Sequence, residues 1–283
     1  MKSFQSIGVA GLGLLGGSIA LAAKRKGLAE NICGYTRTPE TLKKAKNLGV
    51  IDFSFQDFSD LVMNSDFVIL AAPISVNVEL AKSIAKIKPM LLFTDVGSTK
   101  DLIVQTVEKS FMQGHRFCGS HPMAGSEKRG IENSNPHLFE GKTVVITPAN
   151  NSESSVIETI EEFWRNTGAS VTRMQSRQHD EICAYTSHFP HLVAFLLVDI
   201  LSERINSPSV KTCIGAGFRD TTRIAASDEE IWTEIFVSNR ENILQAISKF
   251  RKDLDNVTEL LQKQDFDALK SWIEKIKKIR NEL

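Results

Sequence analysis

Six histidines occur in the 283 residues, and one of them, His121, stands where a proton acceptor would be useful. It closes the β-rich run Phe117–Gly119 in the segment Gly119-Ser120-His121-Pro122-Met123-Ala124-Gly125-Ser126-Glu127. Imidazole titrates near neutral pH, and an alcohol that loses hydride needs a base of that kind. A lone histidine is often a packed core residue, but the end of a strand beside Pro122 and Gly125 favours function. Ser98, in Asp95-Val96-Gly97-Ser98-Thr99-Lys100, is a candidate to hydrogen-bond either that imidazole or the reacting hydroxyl.

Two further clusters fall in the second half of the chain. Ser187-His188-Phe189-Pro190-His191 places two histidines three apart, on one helical face beside a proline. A packed pair is an equal reading for His188. Gly215-Ala216-Gly217-Phe218-Arg219-Asp220-Thr221-Thr222-Arg223 sets two arginines and two hydroxyls after a glycine turn, a good clamp for carboxylates. Arg219 has the alternative of a surface ion pair with Asp220. Arg223 runs into the apolar Ile224-Ala225-Ala226 and is the stronger carboxylate ligand.

Upstream, Gly11-Leu12-Gly13-Leu14-Leu15-Gly16 directly follows the strand-like Ile7–Ala10. Between a first strand and a first helix this GxGxxG spacing binds a dinucleotide. One glycine makes the tight turn, one lets the backbone approach the pyrophosphate, and one lets the helix pack on the sheet. The helix amides then face the phosphates. At the end of the next strand, NAD-binding chains usually carry an acid for the ribose hydroxyls. Here the residues are Tyr35-Thr36-Arg37-Thr38. Thr36, Arg37 and Thr38 suit a 2′-phosphate, so NADP is expected with NAD as the alternative. A merely solvated Arg37 would remove that preference. Ala72 and Pro73, after the run Phe67–Ala71, belong to the same cofactor crevice.

These residues need a scaffold that brings strand ends together. Candidate strands are 7–10, 32–35, 67–71, 91–95, 117–119, 143–147 and 170–174, with helical stretches such as 18–26, 39–48 and 155–166 between them. That alternation predicts an α/β Rossmann-type parallel-sheet N-terminal domain over residues 1–174, with ligands outside the carboxyl ends of the strands. Residues 175–283 read as an all-α C-terminal domain for substrate binding and dimerisation. There Gln175–Asn206 is broken only by Pro190, which should kink the helix and free a carbonyl near Thr186. The densely apolar Leu192–Val198 calls for burial in a core or against a second subunit. Ser227-Asp228-Glu229-Glu230 reads as a capping box opening one long helix from Glu229 to about Leu261.

Bulk properties narrow the function classes. Lys+Arg and Asp+Glu are both 34, so no net charge favours nucleic acid or an anionic membrane. The four cysteines form no CxxC pair, which argues for reduced thiols in a cytoplasmic protein and against a structural metal site. The apolar run Ile7–Ala23 is interrupted by five glycines and is read as the dinucleotide turn, not a signal peptide. No stretch is assigned as membrane-spanning.

Taken in order along the chain, the glycine turn, Asp95-Val96-Gly97-Ser98, His121-Pro122-Met123-Ala124-Gly125, Ser187-His188-Phe189-Pro190-His191 and Gly217-Phe218-Arg219-Asp220-Thr221-Thr222-Arg223 resemble the prephenate/arogenate dehydrogenase family of tyrosine biosynthesis. The resemblance implies oxidative decarboxylation with hydride transfer to NAD(P). In that scheme His121 accepts the hydroxyl proton, Ser98 orients it and Arg223 holds a carboxylate. His191 lies near the substrate side chain, Arg219, Ser126 and Glu127 border the pocket, and Trp232 closes it, with a neighbouring subunit as its possible source. A homodimer through the helical domain is implied. Thr36-Arg37 departs from the acid of NAD-using members. No segment is left for the chorismate mutase or regulatory domain that some members carry, so feedback through such a domain is not expected. Two other readings are a β-hydroxyacid dehydrogenase, which would use a helical lysine as proton relay, and a non-catalytic dinucleotide sensor, which would have lost His121, Ser98 or Arg223.

Overall fold

In the computed structural model, which describes residues 3–112, 114–125 and 128–282, the apolar runs of the first half become strands and the amphipathic stretches between them become helices. In chain order these are β1 (Phe4–Ala10), α1 (Leu14–Arg25), β2 (Ala29–Tyr35), α2 (Pro39–Asn47), β3 (Phe53–Phe55), α3 (Phe58–Met63), β4 (Phe67–Leu70) and α4 (Ile74–Ile87). They continue with β5 (Leu92–Asp95), α5 (Asp101–Ser110), β6 (Arg116–Pro122), β7 (Thr143–Pro148), α6 (Ser154–Asn166) and β8 (Ser170–Arg173). The sheet order is β3-β2-β1-β4-β5-β6-β7-β8. Its first six members are parallel. The last two depart from the all-parallel expectation, because β7 runs antiparallel to β6 and β8 follows β7. The three-residue β3 is too short to show a period in the sequence.

Both faces of the sheet are covered. Val9, Ile32, Phe67, Phe163 and Trp164 belong to one buried cluster, and Leu61, Val68, Phe93, Val107 and Phe117 to another. Each such side chain contributes roughly 1.5–3 kcal/mol when removed from water. Polar ties fix the register near the future site. Trp164 Nε1 donates to Ser120 Oγ at 2.9 Å, and Thr94 Oγ1 lies 2.7 Å from the same hydroxyl.

The chain then becomes helical, with α7 (Ser176–Cys183), a π-helical turn (Ala184–His188), α8 (Phe189–Ser202), α9 (Pro208–Cys213), α10 (Ala216–Thr222), a 3-10 turn (Arg223–Ala226) and α11 (Glu229–Ser238). The expected kink at Pro190 is a π-bulge, the arrangement that helices use to absorb a missing donor. Two carbonyls near it find side-chain partners: Ile182's accepts from Thr186 Oγ1 at 2.9 Å, and Ser187's lies 2.9 Å from His191 Nδ1.

Three expectations need correction. Asp228, not Ser227, caps α11, accepting from Ile231 N at 2.9 Å, while Ser227 Oγ donates to Ile224 O. The single long helix from Glu229 is two, because Asn239 ends α11 before α12 (Arg240–Lys263) begins. Finally, Ser176–Ser202 is a continuous helical run of 27 residues with a window of mean hydropathy 1.3, long and apolar enough to cross a bilayer by length and composition. That run also buries His179, Asp180 and His188 among polar partners.

By internal contacts the chain forms two compact units, one through Asn239 and one from Arg240 onward. In the second, α12 packs on α13 (Phe266–Asn281).

Candidate active site

The order of strands reverses between β1 and β4, and dinucleotides bind at such a switch point. Gly11, with φ +99, turns the chain there, and a Cβ on it would lie 2.4 Å from the Ala71 carbonyl oxygen. Gly16 is equally constrained, since its Cβ would come within 1.9 Å of the Gly11 carbonyl oxygen. Gly13 differs: nothing lies within 4 Å of a Cβ placed on it, and as N-cap of α1 it supplies no side-chain cap. The amides that open α1 at Leu14 and Leu15 therefore have space above them and no side-chain acceptor, which fits a pyrophosphate. Across the crevice, Asn77 shapes the loop after β4, accepting from Ala72 N and donating to the Leu70 carbonyl, and Pro73 opens α4. At the end of β2, Thr36 is half-buried and Arg37 and Thr38 are exposed. Thr38 is N-cap of α2 without spending its hydroxyl on the cap.

Further along the same sheet edge, a chain of hydrogen bonds leads away from His121, which lies within β6 opposite Val145. His121 Nδ1 is 2.8 Å from His179 Nε2. His179 Nδ1 is 2.8 Å from Asp180 Oδ1. Asp180 also takes the Lys100 and Asp101 amides on its two oxygens at 2.8 and 2.9 Å, so it acts as acceptor at the start of α5. An accepting Asp180 puts the His179 proton on Nδ1 and leaves Nε2 as an acceptor. His121 must then carry its proton on Nδ1, and its Nε2 lone pair is left for a substrate. Burial drives the His121 imidazole well below its ordinary pKa, with His179, Lys100 and His188 adding to the effect. At neutral pH the ring is uncharged and can accept a proton.

Lys100 fixes the loop beneath. Its buried ammonium pairs with Asp95 and donates to the Ser120 carbonyl at 2.8 Å, tying the end of β5 to the strand that carries His121. Burial raises the Asp95 carboxyl pKa even though Lys100 opposes the shift.

The helical part reaches the same place. Asn239 donates to the Asp180 carbonyl at 2.7 Å and to His188 Nδ1 at 2.9 Å. Burial pushes His188 down to about 4. Trp232 stands edge-on to His188 and stacks on His191 with centroids 3.6 Å apart. Within one chain, then, Trp232 already meets a site histidine. His191 is lowered by burial, opposed by its bond to Ser187 and reinforced by the nearby Arg223 charge. Arg223 and Arg219 are exposed and make no ion pair with a described carboxylate, so the pairing of Arg219 with Asp220 does not form. Two clasps hold α11 over the sheet edge: Ser75 hydrogen-bonds Glu234, and Thr99 Oγ1 lies 3.0 Å from Ser238 Oγ.

His121, Trp232 and His191 are thus joined through one series of hydrogen bonds and ring contacts, and the Arg223 charge is felt at His191. Ser98 is half-buried at the end of β5 and makes no hydrogen bond to a described residue. Ser126 and Glu127 lie outside the described residues. Sequence reasoning missed His179, Asp180, Lys100 and Asn239. A signal was available for one of them, His179, which sits one helical turn before Cys183 on a largely polar helix.

A Rossmann-type sheet with a dinucleotide crevice, a neutral, half-buried histidine and an all-helical second part defines a nicotinamide-dependent dehydrogenase. Comparison with known proteins then makes the family explicit. Residues 19–173 match the model for the prephenate dehydrogenase nucleotide-binding domain and residues 175–275 that for its dimerization domain. Prephenate dehydrogenase of Bacillus subtilis is 34% identical over 99% of this chain and 76% of that protein. The crystal structure of prephenate dehydrogenase from Aquifex aeolicus with hydroxyphenyl propionate and NAD+ superposes with a TM-score of 0.92 at 36% identity, covering 99% of this chain and 98% of that one. Synechocystis arogenate dehydrogenase gives 0.83 at 26% identity, covering 98% and 99%. The chain belongs to the prephenate dehydrogenase family, and its reaction class is nicotinamide-dependent oxidative decarboxylation.

Proposed function

We propose that the protein oxidises and decarboxylates prephenate to 4-hydroxyphenylpyruvate, with His121 as general base and NADP as the preferred acceptor. The observation that carries the role of His121 is its hydrogen bond to His179, which leaves Nε2 unprotonated and free. A nicotinamide bound in the crevice beside Gly11, Gly13 and Gly16 would supply the acceptor for hydride from the ring carbon that bears the hydroxyl. His121 Nε2 accepts the hydroxyl proton as the hydride leaves. The bond to the ring carboxylate then breaks, CO2 departs, and its electron pair makes the ring aromatic. The phenolate oxygen recovers the proton from His121. Ser98 orients the hydroxyl, Arg223 pairs with a substrate carboxylate, and His191, held on Trp232, lines the side-chain end of the pocket. Arg219 borders it.

Arogenate, with an amino acid in place of the keto acid, is the second reading, supported by the likeness to the Synechocystis enzyme. Prephenate is preferred because the relatives named for it are closer in sequence. Initial rates on both substrates test this, and faster turnover of arogenate would reverse the assignment. The NADP preference rests on Thr36-Arg37-Thr38 alone, since the Aquifex relative was crystallised with NAD+. Residues 175–283 form the substrate-binding and dimerisation half in this reading. The exposed apolar side chains of α8, Leu196, Val198 and Ile200, support a homodimer, and a monomer in sedimentation at micromolar concentration would remove it. Four free thiols support a cytoplasmic setting.

A further inference from the structure

His179 Nε2 has a second neighbour that the proton relay does not use. Cys183 Sγ, one helical turn on, lies 3.4 Å from it, and His121 Nδ1 lies 2.8 Å away on the other side. All three atoms fall within 4.8 Å of one another. We propose that His121, His179 and Cys183 form a capture site for a borderline-soft divalent cation such as Zn2+, and that the cation switches the enzyme off.

The geometry is close to what such a cation needs. With bonds of about 2.0–2.1 Å to nitrogen and 2.3 Å to sulfur, tetrahedral ligand atoms stand roughly 3.3–3.6 Å apart. The spacing of His179 Nε2 and Cys183 Sγ already falls in that range, the two nitrogens must separate by about half an ångström, and His121 Nδ1 lies within 4.8 Å of the sulfur. Two imidazoles and a thiolate select Zn2+ or Co2+ over hard cations. Asp180 bonded to His179 Nδ1 supplies the outer carboxylate that orients a metal-bound histidine.

The chemical consequence follows from the tautomers. Binding displaces the Cys183 thiol proton to solvent and occupies the Nδ1 lone pair of His121. The His121 proton must then sit on Nε2, the atom that receives the substrate proton. No electron changes hands, and a chelator reverses the change: once the cation is withdrawn, Cys183 regains a proton from solvent and the His121 proton returns to Nδ1. Cation binding depends only on the three ligands. Loss of turnover rests on the reading of His121 as base.

Cobalt alone, added to the full chain without substrate or cofactor, and zinc added to the full chain during turnover separate the two. Co2+ should give a thiolate-to-cobalt charge-transfer band that saturates at one equivalent. The band should vanish in Cys183→Ser and Cys183→Ala and persist in Cys213→Ser, which removes the exposed thiol. Zinc should inhibit turnover reversibly. Loss of even an outer partner costs about 10- to 100-fold in metal affinity, so each Cys183 variant should need at least that much more zinc for half-inhibition of its own rate. Absence of the band in the parent chain, its survival in either Cys183 variant, its loss in Cys213→Ser, or unchanged zinc sensitivity would overturn the site. A chain that shows the band but no dehydrogenase activity would contradict the proposed function and leave the site standing.

Discussion

His121 Nδ1 and His179 Nε2, from a strand and a helix 58 residues apart in sequence, approach to 2.8 Å, and this contact decides which nitrogen of His121 is available for chemistry. His179 acts through His121 and is a positioning residue. Its replacement by leucine removes the acceptor for the His121 Nδ1 proton and frees the ring to adopt the wrong tautomer. A general base contributes about 10²–10⁴ in rate, and kcat should fall by a part of that, roughly 10- to 100-fold, with KM little changed. The acid limb of the pH–rate profile should move upward, because His179 helps to hold the His121 pKa down. His179→Gln, whose carbonyl can accept the same proton, should recover most of the rate. A lower melting temperature with the acid limb in place would mean that His179 only packs.

Arg223 is exposed and unpaired with any described carboxylate, yet its charge is felt at His191. Losing a charge-assisted hydrogen bond costs roughly 1.5–3 kcal/mol, so Arg223→Ala should weaken apparent substrate affinity by about 10- to 150-fold. Unchanged substrate saturation with reduced thermal stability would make the arginine structural.

Folding stability should depend on pH through the buried and half-buried histidines of the site. His121, His188 and His191 are all held below their ordinary pKa. As pH falls below about 6.5 the unfolded chain takes up protons that the folded chain refuses, so stability falls. Above that pH the contribution is complete. For His188 the loss ends near its folded value of about 4, and amounts to roughly 3 kcal/mol in all. Urea unfolding at pH 7, 6 and 5 measures this above the range where carboxylates titrate. Equal stability at all three values would contradict the neutral, buried assignment.

Cofactor choice turns on three residues at the end of β2. An acid there would bind the ribose hydroxyls and repel a 2′-phosphate, whereas Arg37 presents a planar fork to phosphate oxygens. One such contact gives about 10- to 150-fold preference in binding, reduced if Arg37 must be ordered first. NADP should give the higher kcat/KM, and Thr36→Asp with Arg37→Ala should shift the ratio toward NAD. Equal or better use of NAD by the parent chain would remove the preference and leave the family assignment intact.

Much of the fold was legible because its signals are local. The glycine turn, the apolar strands around Ile7, Phe67 and Phe93 and the helices between them each carry their own period or turn chemistry. What sequence could not supply were pairings between distant residues. Nothing in Ser176-Arg177-Gln178-His179-Asp180 says that it meets the start of α5 and a strand histidine, since those contacts depend on how the first helical segment docks. Asn239 was hidden inside a continuous helical pattern, because a break made for side-chain hydrogen bonds to Asp180 and His188 leaves the apolar spacing on either side intact. The antiparallel β7 was missed for a similar reason: strand direction is set by the return path of the chain, not by composition.

The most direct measurement concerns His121 itself. Formation of reduced nicotinamide should be followed with prephenate and saturating cofactor in the parent chain and in His121→Asn, with cofactor affinity measured separately on each. With the Nε2 acceptor lost, turnover should drop by about 10²–10⁴ while cofactor binding is retained. Turnover within a few-fold of the parent would show that His121 is not the base.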